Sequence, residues 1–158
     1  MESTKGKRGV RVSAKAIVFR EGCVLANCME DEDGTFYILP GGGLEPDELL
    51  PSAVEREVAE ETGLAVRAEE IAFIVESAQG EPNHRVDIVF RCTLLGESAA
   101  ARHTDTRQKG FAWLKISTLN RAPLYPSRLR RPIMDLYANK KMPIYLGNEN
   151  MGDPEITD

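Results

Sequence analysis

Three glutamates near the middle of the chain, Glu57, Glu60 and Glu61, have the spacing and the chemistry of a cation site. On a helix, residues three and four apart lie on one face, and like charges at that spacing oppose helix formation. A cation held among the carboxylates would relieve this repulsion, and hard carboxylate oxygens suit Mg²⁺ or Mn²⁺. The alternative is a solvated acidic face relieved by Arg56 and counter-ions. The three residues alone leave both interpretations open.

The segment that must position these glutamates has the pattern of an amphipathic helix from about residue 48 to residue 62. Pro51 falls in the first turn, where a missing N–H costs little. Gly63 follows the last periodic residue and predicts a left-handed C-cap. Apolar residues at spacings of three and four predict the buried stripe, which contains Leu50, Val54 and Val58, with Leu49 as a further candidate.

A run of three glycines, Gly41 to Gly43, lies just before that helix. We expect no regular structure there, because glycine tolerates backbone conformations that other residues avoid. The run leaves bare backbone at the surface, so another group can approach it closely.

The glycines and the helix belong to one longer motif, GGLEPDELLPSAVEREVAEETGL, over Gly42–Leu64. It resembles, without a mismatch, the box of the Nudix hydrolase family: Gly, five residues, Glu, seven residues, then Arg-Glu-aliphatic-x-Glu-Glu-x-Gly-aliphatic. So many constrained positions at fixed spacing make a specific signal. They are filled here by Gly42, Glu48, Arg56, Glu57, Val58, Glu60, Glu61, Gly63 and Leu64.

The resemblance implies an α/β fold, the family's α/β/α sandwich with a mixed β-sheet. It also implies a Mg²⁺-dependent pyrophosphohydrolase, with Mn²⁺ as a substitute, that cleaves a nucleoside diphosphate linked to another moiety, of the ADP-ribose or nucleotide-sugar type. Two alternatives stay open. One is a nucleoside triphosphate pyrophosphohydrolase that clears damaged nucleotides, and the other is a non-catalytic nucleotide-sensing module. The three intact glutamates count against the sensing module, because a regulator has no chemical need for all of them.

The resemblance also assigns roles to residues of the box. Glu57 and Glu61 are the expected direct metal ligands, and Glu60 is a further ligand or the proton acceptor. The backbone carbonyl of Gly41, just before the box, is another expected ligand. Arg56 and Glu48 are expected to support the site by orienting the carboxylates.

The sequence departs from the family pattern in one place. Many members carry an additional acidic residue on the loop before a strand like the one that contains Trp113. Here residues 107–109 are Arg, Gln and Lys, and the nearest acids are Asp105 and Glu97. The general base is therefore open, with Glu60 as first choice and Asp105 as second.

The rest of the chain alternates strand and helix patterns. Residues 10–146 are expected to form the domain, between a flexible N-terminus (1–9) and a flexible C-terminal tail (147–158). The predicted elements are a hairpin of residues 10–19 and 23–28, strands at 35–39, 69–77, 85–95 and 110–116, and a second helix at 128–139.

Composition excludes several classes of protein. The formal net charge of −5 argues against general nucleic-acid binding, and no apolar run is long enough to span a membrane. We expect a cytoplasmic protein with a small-molecule nucleotide substrate; a homodimer would be typical of such families. Positive charge is concentrated in residues 101–141, with ten basic and two acidic side chains, and this segment has no assigned role.

Several residues outside the motif are further candidates for the site. His84 and His103 are interpreted as surface residues. Aromatic side chains within strands are as typical of a core as of base stacking. This applies to Phe36, Tyr37 and Trp113. Some basic residues could neutralise phosphates, and these are Arg11, Lys15, Arg128, Arg130 and Arg131. The three cysteines are expected to be reduced thiols.

Overall fold

A computed structural model describes residues 9–78, 84–99 and 106–148. The strands are β1 (Arg11–Arg20), β2 (Cys23–Asp31), β3 (Gly34–Ile38), β4 (Gly41–Gly43), β5 (Leu64–Ala78), β6 (His84–Glu97), β7 (Gln108–Lys115) and β8 (Tyr145–Asn148). The helices are α1 (Leu50–Thr62) and α2 (Arg130–Tyr137), with 3₁₀ helices at Ile116–Arg121 and Ser127–Leu129. Among these residues, no helix has the length and apolar character needed to cross a membrane.

The strands form one mixed sheet with β1 at its centre. The order is β3-β2-β1-β6-β5-β8, with β4 paired to β1 and β7 paired to β2. β1 runs parallel to β6, and β5 runs parallel to β8, whereas the other pairs are antiparallel. Each face packs its own apolar cluster, so the expected α/β/α sandwich with a mixed sheet is confirmed.

β1 divides the core because its side chains alternate between the two faces of the sheet. Ala14, Ala16 and Val18 are fully buried in the cluster that contains Val54 and Val58 of α1. On the other face, the second cluster gathers the 3₁₀ helices and α2 around Ile17, Phe73, Leu119, Leu124 and Ile133.

The predicted end of α1 is confirmed, and its predicted start is corrected. Gly63 is left-handed, with φ 74° and ψ 12°, and its N–H donates to the Ala59 carbonyl at 2.9 Å. The helix begins at Leu50 and not at residue 48, because Leu49 has an extended backbone (φ −81°, ψ 153°). The Leu49 side chain is therefore outside the apolar stripe and is 74% exposed.

The expectation of irregular structure over the glycines is wrong, because they form β4. Ser13, Ala14 and Lys15 of β1 pair with Gly43, Gly42 and Gly41. A Cβ on Gly41 would collide with the Ala14 carbonyl oxygen and would lie 2.7 Å from the Lys15 Cα. The predicted close approach does occur here, and the approaching group is the β1 backbone.

Several element boundaries also differ from the sequence prediction. β5 starts at Leu64, directly after the α1 cap, and β6 extends to Glu97. β8 includes Gly147 and Asn148, which the sequence analysis placed in the tail. The reason is backbone pairing with β5, where Val75 faces Gly147 and Glu76 faces Asn148. The Ala78 N–H also donates to the Asn148 side chain at 3.3 Å.

The sheet opens between β1 and β2, and this opening positions the candidate site. The two strands pair only at their hairpin end, where Phe19 faces Val24 and Arg20 faces Cys23. Beyond that point, β4 takes the place beside β1. Asn27 and Met29 of β2 therefore line a cavity in the part where β1 and β2 separate.

Candidate active site

A cavity of about 490 Å³ lies where the helix, the glycine strand and the sheet meet. Alternate residues of β1 and of β6 contribute to its wall, as expected for one face of a sheet. The charged residues along this wall include Arg11, Lys15, Glu57, Glu61, Arg85 and Asp87. The cavity therefore combines carboxylates from the helix with cations from the sheet.

Glu61 is the most buried carboxylate of the box, with 9% of its surface exposed. Its Oε2 accepts a hydrogen bond from the Asn27 side chain, and its carboxylate also faces the Gly41 N–H at 3.3 Å. Burial raises the pKa of Glu61, and the hydrogen-bonded carboxyl of Glu57 raises it further. The nearby positive charge of Lys15 acts in the opposite direction. The folded chain thus holds the Glu61 carboxylate in a largely buried position beside a second carboxylate.

Glu57 lies against the second glycine of the run. A Cβ on Gly42 would be 2.8 Å from the Glu57 carboxyl carbon, so a side chain there would push the Glu57 carboxylate out of its present position. The Arg56 Nη1 donates to Glu57 Oε1 at 3.0 Å and fixes the carboxylate from the other side. Both Glu57 and Glu61 therefore lie at the cavity wall, and their role as metal ligands stays a prediction.

Glu60 has a different position. Its Oε2 accepts a hydrogen bond from the Arg56 Nη1 at 3.2 Å, and it is not among the residues that line the cavity. Glu60 therefore shares the Arg56 Nη1 with Glu57 but is not part of the cavity wall. Its role as ligand or proton acceptor stays a prediction.

Arg56 connects the helix to the loop before it. Its Nε donates to Glu48 Oε2 at 2.7 Å, and its Nη2 donates to Glu48 Oε1 at 2.9 Å. The Nη2 also lies 3.2 Å from the Gly43 carbonyl. This two-point contact lowers the pKa of Glu48 and raises the pKa of Arg56. Arg56 thus links Glu48 to Glu57 and to the Gly43 carbonyl, and the supporting role of Arg56 and Glu48 stays a prediction.

Replacing Glu48 with glutamine should lower the free energy of unfolding by about 1–2 kcal/mol at neutral pH, because a charged hydrogen-bonded pair is lost. Since the folded-state pKa of Glu48 is depressed, its contribution is complete above the ordinary value of 4.5 and is lost as the pH falls through the folded-state pKa. Urea denaturation at neutral and at acidic pH measures the free energy of unfolding of both proteins. The difference between wild type and Glu48→Gln should shrink on acidification. Glu45→Gln is the matched control, since Glu45 lies 3.8 Å from the same guanidinium and is 64% exposed. A difference independent of pH would contradict the assignment.

Sequence reasoning missed two polar residues that hold Glu61. Asn27 is 3% exposed, and its Oδ1 is a buried atom without a hydrogen-bond partner in the described structure. Gln108, at the start of β7, donates to the Glu61 carbonyl at 2.9 Å and lies 3.2 Å from the Gly110 carbonyl. Asn27 could have been noticed in the sequence, because it is the one polar amide inside the apolar stretch Cys23–Cys28. Gln108, at the first position of β7, stands where many family members carry an acidic residue on the preceding loop.

The remaining candidates lie away from the carboxylates or outside the described residues. The Nε2 of His84 is 2.9 Å from Glu76 Oε2, and His84 does not line the cavity. Glu97 is exposed at the end of β6. Arg20 covers the ring of Trp113 with its guanidinium carbon 4.1 Å from the ring centroid. His103 and Asp105 fall outside the described residues, so Asp105 stays an untested candidate base.

The aromatic candidates pack against other side chains, and the cysteines are free thiols. Phe36 is half-buried and packs edge-on against Tyr125 with ring centroids 6.4 Å apart. Tyr37 and Trp113 are half-buried and pack against the two core clusters. The three cysteines are unpaired thiols, and burial raises the pKa of Cys92 to about 12.

The residues at the cavity wall fit a divalent cation. Among the described residues, no group of three His, Cys, Asp or Glu side chains is arranged as a complete metal cage. Mg²⁺ does not need one, because it is usually held by one or two carboxylates while water and substrate phosphates supply the remaining ligands. Glu57 and Glu61, side by side at the cavity wall, provide such a partial set.

An α/β/α sandwich with two helix glutamates at the wall of a cavity is consistent with a phosphoanhydride hydrolase, and the comparisons agree. The NUDIX domain family matches residues 9–136. A "MutT-like protein" of Streptomyces ambofaciens is 32% identical over 120 residues, which is 75% of this chain and 73% of that protein. The chain belongs to the NUDIX family and is a Nudix-type hydrolase of pyrophosphate bonds.

Solved structures share the fold at low sequence identity. A Nudix hydrolase from Nitrosomonas europaea is similar with a TM-score of 0.71 and 20% identity, over 94% of this chain and all of that chain. An ADP-ribose pyrophosphatase from Streptococcus suis is similar with a TM-score of 0.65 and 21% identity, over 87% of this chain and 98% of that one. Nudix hydrolases generally use divalent metal ions and act on small nucleotide-type substrates.

Proposed function

We propose that this chain is a Mg²⁺-dependent pyrophosphohydrolase that cleaves a nucleoside diphosphate linked to another moiety, of the ADP-ribose or nucleotide-sugar type. One observation carries the proposal: carboxylates of α1 and cations of the sheet line the same cavity. Bare carboxylates would repel a diphosphate, so they can act on it only through a bound divalent cation. The guanidinium and ammonium groups attract its negative charge directly. The likeness to an ADP-ribose pyrophosphatase supports this substrate class.

Glu57 and Glu61 would hold the cation, with the carbonyl of Gly41 beside them. A bound Mg²⁺ supplies Lewis-acid polarisation of phosphoryl oxygens and lowers the pKa of a water ligand. Asn27 and the Gly41 N–H orient Glu61, and Arg56 orients Glu57. The proton acceptor remains a choice between Glu60 and Asp105.

A nucleoside triphosphate pyrophosphohydrolase is the second candidate, because the carboxylates and cations of the same cavity suit the anhydride bonds of a triphosphate as well. The two candidates predict different products. A nucleoside diphosphate derivative gives a nucleoside monophosphate and a phosphorylated partner, whereas a triphosphate gives the monophosphate and pyrophosphate.

Hydrolysis of a substrate panel tests the proposal. Wild-type protein is incubated with ADP-ribose, nucleotide sugars and the common and oxidised nucleoside triphosphates, with Mg²⁺, with Mn²⁺ and with chelator. We expect turnover of at least one diphosphate derivative and its loss on chelation. Turnover of triphosphates alone would move the assignment to the second candidate. Tight binding of a nucleotide without turnover of any compound would instead support a sensing module.

A further inference from the structure

Arg11, the first residue of β1, lies over the last glycine of β4. A Cβ built on Gly43 would be 3.3 Å from the Arg11 Nη2, 3.6 Å from its Nε and 3.9 Å from its Cζ. Most of the guanidinium group therefore rests on the bare backbone of Gly43. Gly43 is not one of the fixed positions of the box, so the motif itself does not explain why a glycine is present there.

The charge of Arg11 is not balanced by the residues around it. Arg11 faces Arg85 directly in the parallel pairing of β1 and β6. Arg85 has an acidic partner, because its Nε lies 3.1 Å and 3.2 Å from the two carboxylate oxygens of the buried Asp87. Over residues 9–78, 84–99 and 106–148, Arg11 forms no ion pair with a carboxylate. Two neighbouring like charges on a sheet repel each other, so this arrangement favours an anion beside Arg11.

The cavity indicates what kind of anion this would be. Arg11 and Arg85 line the same cavity as Glu57 and Glu61. One phosphoryl group of a diphosphate can therefore lie near the carboxylates and their cation, while another lies near the arginines. A guanidinium offers two parallel N–H donors that match the oxygens of a phosphoryl group.

We propose that Arg11, next to Arg85, binds a second phosphoryl group of the substrate, and that Gly43 is a glycine because a side chain there would press on the Arg11 guanidinium and shift it by a few tenths of an ångström. This inference rests on the proposed function, which requires a substrate with a diphosphate. It assigns a binding role to two residues that the family motif leaves without one.

Binding of simple anions tests the role of Arg11 without turnover. Calorimetry with Mg²⁺ present gives the dissociation constants of inorganic pyrophosphate and of inorganic phosphate. We expect Arg11→Gln to weaken pyrophosphate binding by about tenfold or more, which is the usual effect of losing a charged hydrogen bond. The preference for pyrophosphate over phosphate should shrink, because only pyrophosphate has a second phosphoryl group that Arg11 can bind. Arg11→Lys should recover part of the loss. Arg67→Gln is the matched control, since Arg67 is exposed and pairs with Glu69.

A double-mutant cycle tests the role of Gly43. Gly43→Ala alone should weaken pyrophosphate binding, because Arg11 must move to make room for the methyl group. In an Arg11→Gln background, the same change should have little further effect. Additive losses, or unchanged pyrophosphate binding in Arg11→Gln, would overturn the inference.

The two proposals can fail separately. If wild-type protein cleaves no diphosphate derivative but binds pyrophosphate through Arg11, the proposed function fails and this binding role stands. If it cleaves one with KM unchanged in Arg11→Gln, the binding role fails and the proposed function stands.

Discussion

Replacing Glu61 with glutamine is expected to lower kcat/KM by at least about a hundredfold, because one of the two carboxylates at the cavity wall loses its charge. The fold should remain. Glutamine has nearly the same shape, its carbonyl can still accept the hydrogen bond from Asn27, and the burial that opposes a charged Glu61 costs a neutral amide less. Without metal, the free energy of unfolding should therefore stay within about 1 kcal/mol of wild type.

Thermal unfolding with and without metal gives a readout that does not depend on turnover. A cation at a concentration one hundred times its dissociation constant stabilises the wild type by about 2.7 kcal/mol, and Glu61→Gln should lose most of this increment. Glu70→Gln is the control, because Glu70 is exposed on β5. Full metal-dependent stabilisation of Glu61→Gln would exclude Glu61 as a ligand.

The same comparison separates the two interpretations of Glu60. A ligand role requires that Glu60→Gln also lose metal-dependent stabilisation. A role as proton acceptor requires a lower kcat with that stabilisation kept. If Glu60 only pairs with Arg56, both the kcat and the metal-dependent stabilisation of Glu60→Gln should be close to those of the wild type.

The candidate carboxylates could be predicted from the sequence because the box is local. The C-cap at Gly63, the helix before it and the spacing of the glutamates all lie within one short segment, and short-range rules determine them. The direction of each side chain was not predictable in this way. Glu60 turns towards Arg56, and that choice depends on Glu48 and Gly43, which contact the same guanidinium.

The cationic part of the site could be predicted only in part. Arg11 and Lys15 alternate along a predicted strand, which suggested neutralisation of phosphates. Arg85 lies far away in sequence and comes to Arg11 through a parallel strand pairing, which no local pattern specifies. Asn27 was missed for the same reason, since the separation of β1 from β2 is a property of the whole sheet.

Part of the basic segment 101–141 has a structural explanation. Arg128 donates to the Asn148 carbonyl at 2.9 Å, and Arg130 donates to the Leu124 carbonyl at 2.9 Å. Arg131 lies 3.5 Å from Asp135, one turn along α2. These side chains fix chain segments that pass over the sheet, so much of this positive charge serves the fold and not a ligand. Arg107 differs, because it lines the cavity.

Alanine substitutions in the glycine run are expected to have one large effect on stability and a different one on activity. Gly41→Ala should lower the free energy of unfolding by about 3–5 kcal/mol, because the new methyl group would overlap the β1 backbone and Gly41 has φ +139°. Gly34→Ala is the control for conformational strain alone, since Gly34 has φ +122° and open space around its Cβ.

Gly42→Ala makes the same chemical change one residue further along, but the atoms nearest to the added methyl group are those at the end of the Glu57 side chain. That carboxylate can swing away at little cost in stability, so the expected loss is about 1 kcal/mol or less. Activity should nevertheless fall by about tenfold to a hundredfold, because a displacement near 1 Å is enough to misplace a group at a reacting centre. Urea denaturation and steady-state kinetics on the three variants measure both effects. An unstable but fully active Gly42→Ala would mean that Gly42 supports the backbone and not the position of Glu57.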